Sequence, residues 1–158
     1  MKQNDLLLLI GSIILCQLAG IIGSVFTIPS IPSWYAFLVK PFFNPPNWLF
    51  SPVWTLLFLL MGISLYLILK KGFEKKEVKF AVSVFFVQLV LNVFWSFLFF
   101  GLKNPLFALI EILVLWTVIL ASILFFYRIE KKAAFLLIPY ILWVSFALLL
   151  NFSIWMLN

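Results

Sequence analysis

The chain alternates between long apolar segments and short stretches that carry nearly all of its charge. A membrane-spanning α-helix needs about 20 mainly apolar residues, because each residue advances the helix by about 1.5 Å. Five segments meet this requirement. Since the connections after the first are short, consecutive helices should pack antiparallel in one bundle. The predicted helices cover roughly residues 6–27, 52–70, 80–101, 106–127 and 134–156 of a single domain, 1–158.

Composition agrees with this pattern. Hydrophobic residues make up 66% of the chain and charged residues 10%, whereas a soluble domain has about half and about a quarter. So few polar residues cannot cover a water-facing surface. We therefore predict an all-α integral membrane protein, a five-transmembrane-helix bundle. The first apolar run is longer than a signal-peptide core and lacks a small-residue cleavage site, so we expect it to be retained.

The basic residues predict an orientation. The net charge is +6, but lysines and arginines lie between the apolar spans rather than among the aromatics, which argues against nucleic-acid binding. Nine of the eleven lie on one side: Lys2, five lysines in 70–79 and three basic residues in 128–132. Only Lys40 and Lys103 lie on the other side. Because basic loops stay in the cytoplasm, we predict a multi-pass cell-membrane protein with a cytoplasmic N-terminus and an outside C-terminus.

The histidine and cysteine counts exclude several kinds of site. The chain has no histidine and one cysteine, Cys16. Histidine-ligated zinc or haem and a histidine acid–base catalyst are therefore excluded. Cys16 cannot form an intrachain disulfide, and its place in the first span favours a packing role. We predict no metal site and no required cofactor.

The connection between the first two spans is rich in proline and tryptophan. Segment 31–55 holds three of the seven tryptophans, and segment 29–52 holds six of the eight prolines. Because proline lacks an N–H group and clashes with the preceding turn, we expect no regular helix here. So many large aromatics predict a semi-rigid lid over a binding site. Lys40 and Asn44 either contact acidic groups of a ligand or solvate this loop.

Polar residues of the third predicted span share one helical face. Asn92, Trp95 and Ser96 stand at positions i, i+3 and i+4. Their amide, indole N–H and hydroxyl either receive a polar ligand or hydrogen-bond to a neighbouring helix, as polar groups in membranes often do. Unpaired, they would cost free energy in hydrocarbon. Spacing alone leaves both interpretations open.

Large aromatics also line the second and fifth spans. Trp54 and Phe58 share one face of the second span. In the fifth, Trp143 and Ala147 share another, and the small alanine leaves room for a flat ligand or for a close helix contact. Tryptophans gather at headgroup depth in membranes. Trp54 and Trp143 lie about a turn or two inside their spans, deeper than simple interfacial anchors.

Two single residues stand out within the spans. Glu111 is the only acid inside a predicted span. It either accepts hydrogen bonds from a neighbouring helix or binds a cation or proton. A lone carboxylate without a second acid or a histidine makes a poor proton relay, so the structural role is favoured. Pro139, early in the fifth span, predicts a kink.

Together these residues resemble the TspO/MBR family, the tryptophan-rich sensory proteins related to the mitochondrial translocator protein (peripheral-type benzodiazepine receptor). The family's loop motif W-Y-x-x-L-x-K-P-x-[WF]-x-P-P-x-W…P-V-W is matched from Trp34 to Trp54. The third-helix pattern Q-L-x-x-N-x-x-W-S-x-x-F-F begins at Gln88, and the fifth-helix pattern P-Y-x-x-W-x-x-x-A-x-x-L-N begins at Pro139. Glu111 takes the fourth-helix acid position. The resemblance covers essentially the whole chain.

The resemblance implies a five-helix bundle, usually a homodimer in the lipid bilayer, with a pocket under the first loop. Family members bind tetrapyrroles such as protoporphyrin IX and haem, and drug-like ligands such as PK11195. Some bacterial members promote light-dependent porphyrin breakdown, which by position would make Trp54 and Trp143 catalytic. A transporter or regulatory protein for tetrapyrroles or related amphipaths is the alternative. The implied ligand-binding residues are Trp34, Tyr35, Trp48, Trp54, Phe58, Asn92, Trp95, Ser96, Trp143, Phe146 and Ala147.

This chain departs from the family pattern in two places. Phe42 and Phe43 follow Lys40-Pro41, where the family often has tryptophan, and phenylalanine is much harder to oxidise. Phe152 and Met156 replace the tyrosine and arginine of the animal cholesterol motif. Redox chemistry at the first pair and sterol recognition at the second are therefore not expected.

Overall fold

The computed structural model describes residues 3–158, with side chains from residue 4 onward. Within these residues the chain is helical and forms no β-strand. A 3-10 turn lies at Tyr35–Phe37, and a π-helical turn at Phe97–Gly101 extends the third helix. The helices are α1 (Gln3–Ser33), α2 (Asn47–Leu69), α3 (Lys76–Ser96), α4 (Pro105–Ile129), α5 (Lys131–Leu136) and α6 (Ile138–Leu157).

Five helical segments are long and apolar enough to cross a membrane, the fifth formed by α5 and α6 together. The prediction of an all-α five-helix membrane protein is confirmed. α1 packs against α2 and α3, α3 against α4, α4 against α5 and α6, and α2 against α5, which closes a ring. The flap, as we call residues 34–46, lies at one end of this ring together with residues 102–104 and the end of α6.

The expectation that the proline-rich segment excludes regular helix was wrong at both its ends. α1 continues through Pro29 and Pro32 to Ser33, and α2 begins at Asn47 and contains Pro52. Each proline removes one intrahelical hydrogen bond. Leaving the helix within a membrane would expose several backbone groups that no water can satisfy, so the helix with one missing bond is the cheaper arrangement.

Proline has the predicted effect in the fifth span. The helix is interrupted at Leu137, between α5 and α6. Pro139 has no N–H to continue the helical hydrogen bonds across this point, and the chain resumes with the Ile141 N–H donating to the Leu137 carbonyl at 3.1 Å. Below the break, the Ser64 hydroxyl donates to the Ala133 carbonyl at 2.8 Å and fastens α2 to α5.

Ion pairs close the end opposite the flap. Lys70 lies 3.0 Å from Asp5 and joins α2 to α1, and Lys71 pairs with Glu130 between α4 and α5. The Lys71 ammonium and the Lys132 N–H lower the pKa of Glu130 below its usual value. Of the basic residues counted for orientation, Lys2 lies outside the described residues. Which end faces the cytoplasm stays a prediction.

A tightly packed core fills the half of the bundle away from the flap. Phe85 of α3 stacks on Phe126 of α4 with ring centroids 5.5 Å apart, and both side chains are fully buried. Cys16 is fully buried in this core, as a packing residue would be. α1 approaches α2 closely at Gly62, where a Cβ atom would stand 2.6 Å from the Ile13 Cα.

We expect Gly62→Ala to destabilise the bundle by about 1–3 kcal/mol, because overpacking forces one backbone away from another. The matched control is Gly11→Ala, since a Cβ there meets nothing within 4 Å. Thermal unfolding in detergent measures both. A Gly62→Ala midpoint equal to that of Gly11→Ala would contradict the close α1–α2 contact.

Candidate functional site

A cavity of about 370 Å³ lies between α1, α2, α3 and α6 beneath the flap. Its volume falls in the range of about 300–1,000 Å³ typical of small-molecule sites. Aromatic side chains form three of its walls, and small or hydroxyl-bearing residues of α1 form the fourth. The aromatic walls consist of Tyr35 from the flap end, Phe50, Trp54 and Phe58 from α2, Trp95, Phe99 and Phe100 from α3 and its π turn, and Trp143 from α6.

The structure brings most of the proposed binding residues together around this cavity. Eight of the eleven line it, from four different parts of the chain. Their sequence separation is bridged because α2, α3 and α6 present their aromatic faces to the same interior space. The eight are Tyr35, Trp54, Phe58, Asn92, Trp95, Ser96, Trp143 and Ala147.

Three proposed residues lie elsewhere. The first two turns of α2 line the cavity with Asn47, Phe50, Ser51 and Trp54. Trp48 lies on another face of the helix and is 71% exposed. Trp34 packs edge-on against Phe99 at 5.5 Å and lines a separate depression near Lys103. Phe146 lies behind the wall, 5.4 Å from Trp143. These three residues therefore lie outside the cavity lining, and their contact with a ligand, for Trp34 and Trp48 as part of a cap, stays a prediction.

A chain of hydrogen bonds ties the floor of the cavity together. The Asn92 amide donates to the Tyr140 hydroxyl at 3.0 Å, and this hydroxyl donates to the Gln88 carbonyl oxygen at 2.8 Å. The Gln88 amide in turn faces the Met61 sulfur at 3.9 Å. All four side chains are buried. α3 is thereby fixed to α6 directly and to α2 through a weak sulfur contact.

A second hydrogen-bonded group fixes the tryptophan of α3. The Trp95 indole N–H donates to the Asn151 carbonyl oxygen at 3.1 Å, and the Asn151 amide donates to the Pro105 carbonyl at 2.8 Å. The Trp95 ring also stacks on Phe99 with centroids 5.1 Å apart. Asn92 and Trp95 thus both bond to a neighbouring helix while still presenting a face to the cavity. The two interpretations left open by their spacing are compatible.

Trp143 differs from Trp95 because its indole nitrogen is buried without a hydrogen-bond partner within residues 3–158. Its ring is held by Phe50 at 6.2 Å and by Phe146 at 5.4 Å. A buried donor left unpaired costs about 1–3 kcal/mol. Trp54, on the facing helix, packs against Phe58 at 5.6 Å. The rings of Trp54 and Trp143 therefore give the site flat apolar walls, while the Trp143 N–H is enclosed by protein.

Tyr35 closes the cavity on the flap side. Its side chain is 3% exposed, and its hydroxyl donates to the Asn44 carbonyl oxygen at 2.7 Å. Burial raises the pKa of Tyr35 to about 12, so the phenol stays neutral. The Lys40 ammonium lies 4.8 Å from the centre of its ring and donates to the Leu38 carbonyl at 3.0 Å. Lys40 and Asn44 therefore serve the flap itself in this structure.

Asn158 fastens the flap to the end of α6. Its side-chain oxygen accepts from the Val39 N–H at 3.0 Å, and its side-chain N–H donates to the Val39 carbonyl at 3.0 Å. This pair of bonds imitates one step of a β-ladder. Sequence reasoning missed this residue, because no local pattern relates positions 119 residues apart.

Sequence reasoning also missed the α1 wall of the cavity. Small and hydroxyl residues recur there at helical spacing, and this stripe of Gly20, Ser24 and Thr27 was the available signal. A Cβ atom at Gly20 would stand 2.6 Å from the Phe58 ring, so glycine is what lets Phe58 lie against α1. The α1 lining consists of Gln17, Ala19, Gly20, Ile21, Gly23, Ser24, Thr27, Ile28 and Ile31.

Glu111 lies outside the cavity. It is 7% exposed, and neither carboxylate oxygen has a hydrogen-bond partner in the part of the chain that the structure describes. The hydrogen-bonded structural role favoured for it is therefore not seen. Across residues 3–158, no group of three or more Cys, Asp or Glu side chains is placed to hold a metal ion.

We expect Tyr140→Phe to destabilise the protein by about 1–3 kcal/mol, because it leaves both the Asn92 donor and the Gln88 acceptor buried and unpaired. Tyr127→Phe is the matched control, since Tyr127 is 45% exposed on α4. Thermal unfolding in detergent compares the two. Equal midpoints for both variants would show that the Asn92–Tyr140–Gln88 chain carries no stability.

Comparison with known proteins agrees with this architecture. The profile of the TspO/MBR family matches residues 12–156. The chain is 50% identical to tryptophan-rich protein TspO of Chlorobaculum tepidum over 145 residues, 91% of each protein. It is 47% identical to tryptophan-rich protein TspO of Archaeoglobus fulgidus over 98% of this chain and 99% of that one. It is 35% identical to the translocator protein of Bos taurus over 94% of this chain and 89% of that one. The chain belongs to the TspO/MBR family.

Proposed function

We propose that this protein binds tetrapyrroles, protoporphyrin IX above all, in the cavity beneath the flap. The observation that carries the proposal is the arrangement of Trp54, Trp95 and Trp143 on three helices around one space of about 370 Å³. A porphyrin is a wide, flat π-system, and offset stacking on indole rings stabilises such a ligand by more than its buried area alone. The drug-like ligand PK11195, also aromatic and amphipathic, suits the same walls.

The polar groups of the site suit the edge of such a ligand. The Ser96 hydroxyl and the Asn92 amide belong to residues of the α3 wall of the cavity. The Trp143 indole nitrogen has no accessible surface, so the ring of Trp143 rather than its N–H would meet a ligand. A tetrapyrrole would therefore bury its ring against aromatics and place hydrogen-bonding atoms toward α3.

The iron of haem should add little to binding. Among the residues that line the cavity, none is histidine, cysteine or methionine, and the phenol of Tyr35 is neutral and bonded to Asn44, which makes it a poor ligand for haem iron. Affinity then depends on stacking and shape. Metal-free and iron-bearing porphyrins should bind comparably.

We expect protoporphyrin IX to quench tryptophan fluorescence saturably in detergent and to shift its own Soret absorption. Trp143→Phe should weaken binding about two- to tenfold, because the smaller ring loses part of its stacking contact with the ligand. Trp116→Phe is the matched control, because Trp116 bonds to Ser145 and does not line the cavity. Haemin should bind within about threefold of protoporphyrin. The absence of saturable binding would contradict the proposed site, and a tight low-spin haemin complex would contradict binding without iron ligation.

A second activity, light-dependent degradation of protoporphyrin, is favoured by the position of Trp54 and Trp143 on facing walls. Light-excited porphyrin passes its energy to dioxygen, and the activated oxygen attacks the ring. Trp54 and Trp143 are oxidisable side chains that line the cavity. Each would pass one electron to the excited porphyrin and become a radical, and the reduced porphyrin would pass that electron to dioxygen, which forms superoxide as a second oxidant beside the ring. Phe42 and Phe43, in contrast, lie outside the cavity lining, and Phe42 is fully exposed.

Under illumination in air, bound protoporphyrin IX should bleach faster than free porphyrin at the same absorbance. Trp54→Phe and Trp143→Phe should each slow this excess rate, after correction for the fraction bound. Samples kept in darkness or under argon should not bleach. Unchanged bleaching in both variants would remove the two tryptophans from the reaction.

We further propose an orientation in the membrane and a homodimer. The flap end carries Lys40 and Lys103, whereas the opposite end carries the lysine and arginine clusters, which supports an outward-facing flap. A homodimer is proposed from family membership. A transporter or regulatory role for tetrapyrroles uses the same cavity, and porphyrin flux into proteoliposomes would distinguish it from binding alone.

A further inference from the structure

We propose that the cavity opens sideways into the lipid bilayer through a portal between α1 and α2, and that the tetrapyrrole enters through this portal from the membrane. This inference rests on the proposed function and specifies how its ligand arrives. The portal is formed by Ile21, Ser24 and Ile28 on α1 and by Ser51 and Thr55 on α2.

Residues of the outer surface also line the cavity. Ile21 is 59% exposed and Ile28 is 66% exposed, yet both contribute to the cavity lining. Ser51 and Thr55 are likewise exposed and lie on the lining. A side chain can meet both conditions only where the cavity reaches the outer surface. That surface belongs to membrane-spanning segments of α1 and α2, so the opening faces hydrocarbon.

The helices α1 and α2 touch on the side of the portal away from the flap. Gly62 lies against the Ile13 backbone, and Phe58 lies against Gly20. The Gln17 amide donates to the Thr55 carbonyl at 3.0 Å, and Gln17 is also where the cavity lining of α1 begins. This hydrogen bond marks the lower edge of the opening. Toward the flap, the space between the helices belongs to the cavity.

The route into the cavity through the flap is closed. Tyr35 is buried and bonded to Asn44, and the flap is tied to Asn158 by two hydrogen bonds to Val39. A ligand coming from water would have to break these bonds. The portal requires no such change, because its mouth is already open.

The portal also has the chemistry needed to pass a flat amphipathic ring. Two of its three hydroxyl groups donate within their own helices: Ser24 to the Ile21 carbonyl at 2.6 Å, and Thr55 to the Ser51 carbonyl at 2.9 Å. These two hydroxyls keep their hydrogen bonds as an apolar ring slides past. Isoleucine side chains complete an apolar rim that matches the acyl chains outside.

The test uses Ser51→Cys, a nearly isosteric change at an exposed rim position, modified after folding with a bulky aromatic maleimide. Thr117→Cys, exposed on α4 and outside the cavity lining, is the matched control. Cys16 is fully buried, and unsubstituted protein treated with the same reagent shows whether it reacts. Protoporphyrin IX is supplied in liposomes, and stopped-flow tryptophan quenching follows its binding.

Modified Ser51→Cys should load protoporphyrin about tenfold more slowly than before modification. Protein loaded first and modified afterwards should keep its porphyrin longer by a similar factor, because a gate slows both directions. Modified Thr117→Cys should match its unmodified form. Asn158→Ala, which releases the flap, should leave the loading rate unchanged.

Three results would overturn the portal. They are unchanged loading after Ser51→Cys modification, expulsion of preloaded porphyrin by the reagent, and faster loading in Asn158→Ala. Each of them leaves equilibrium binding in the unmodified protein intact, so the proposed function survives. If the unmodified protein shows no saturable binding, both the proposed function and the portal fail.

Discussion

Hydrogen bonds between α3 and α6 set the geometry on which the cavity depends. Inside a bilayer no water is available, so a buried amide or phenol is stabilised by a partner on another helix. Asn92 and Gln88 meet Tyr140, and Trp95 meets Asn151. Membrane hydrogen bonds of this kind contribute only about 0.6 kcal/mol each on average. Their larger effect is geometric, because they hold two walls at a fixed separation.

With α3 and α6 fixed, α2 cannot fill the space between them near the flap. In the lower half, Ser64 and the ion pair between Lys71 and Glu130 bring α2 against α5. In the upper half its contacts with α6 run through aromatic side chains, as between Trp54 and Tyr140 with centroids 6.3 Å apart. The flap then closes the top through Tyr35. One bundle thus has a solid half that supplies stability and a hollow half suited to a ligand.

Much of this arrangement could be predicted from the sequence, because membrane thickness fixes helix length and apolar runs reveal it. The helical faces of α3 and α6 were also readable from spacing. Trp48 lies outside the cavity lining because the start of α2 at Asn47 sets which face is inward, whereas proline content had suggested a later start. Asn158 and the α1 wall depend on contacts distant in sequence. Glu111 was expected to be hydrogen-bonded, and its burial without a partner follows from no sequence rule.

The central claim is that the space between Trp54, Trp95 and Trp143 is a ligand site rather than a packing fault. The most direct measurement is an experimental structure of the protein purified with protoporphyrin IX in darkness. The account predicts planar density inside the bundle, beneath Tyr35 and against the rings of Trp54, Trp95 and Trp143. Porphyrin density confined to the lipid-facing surface, with the cavity empty or collapsed, would contradict it.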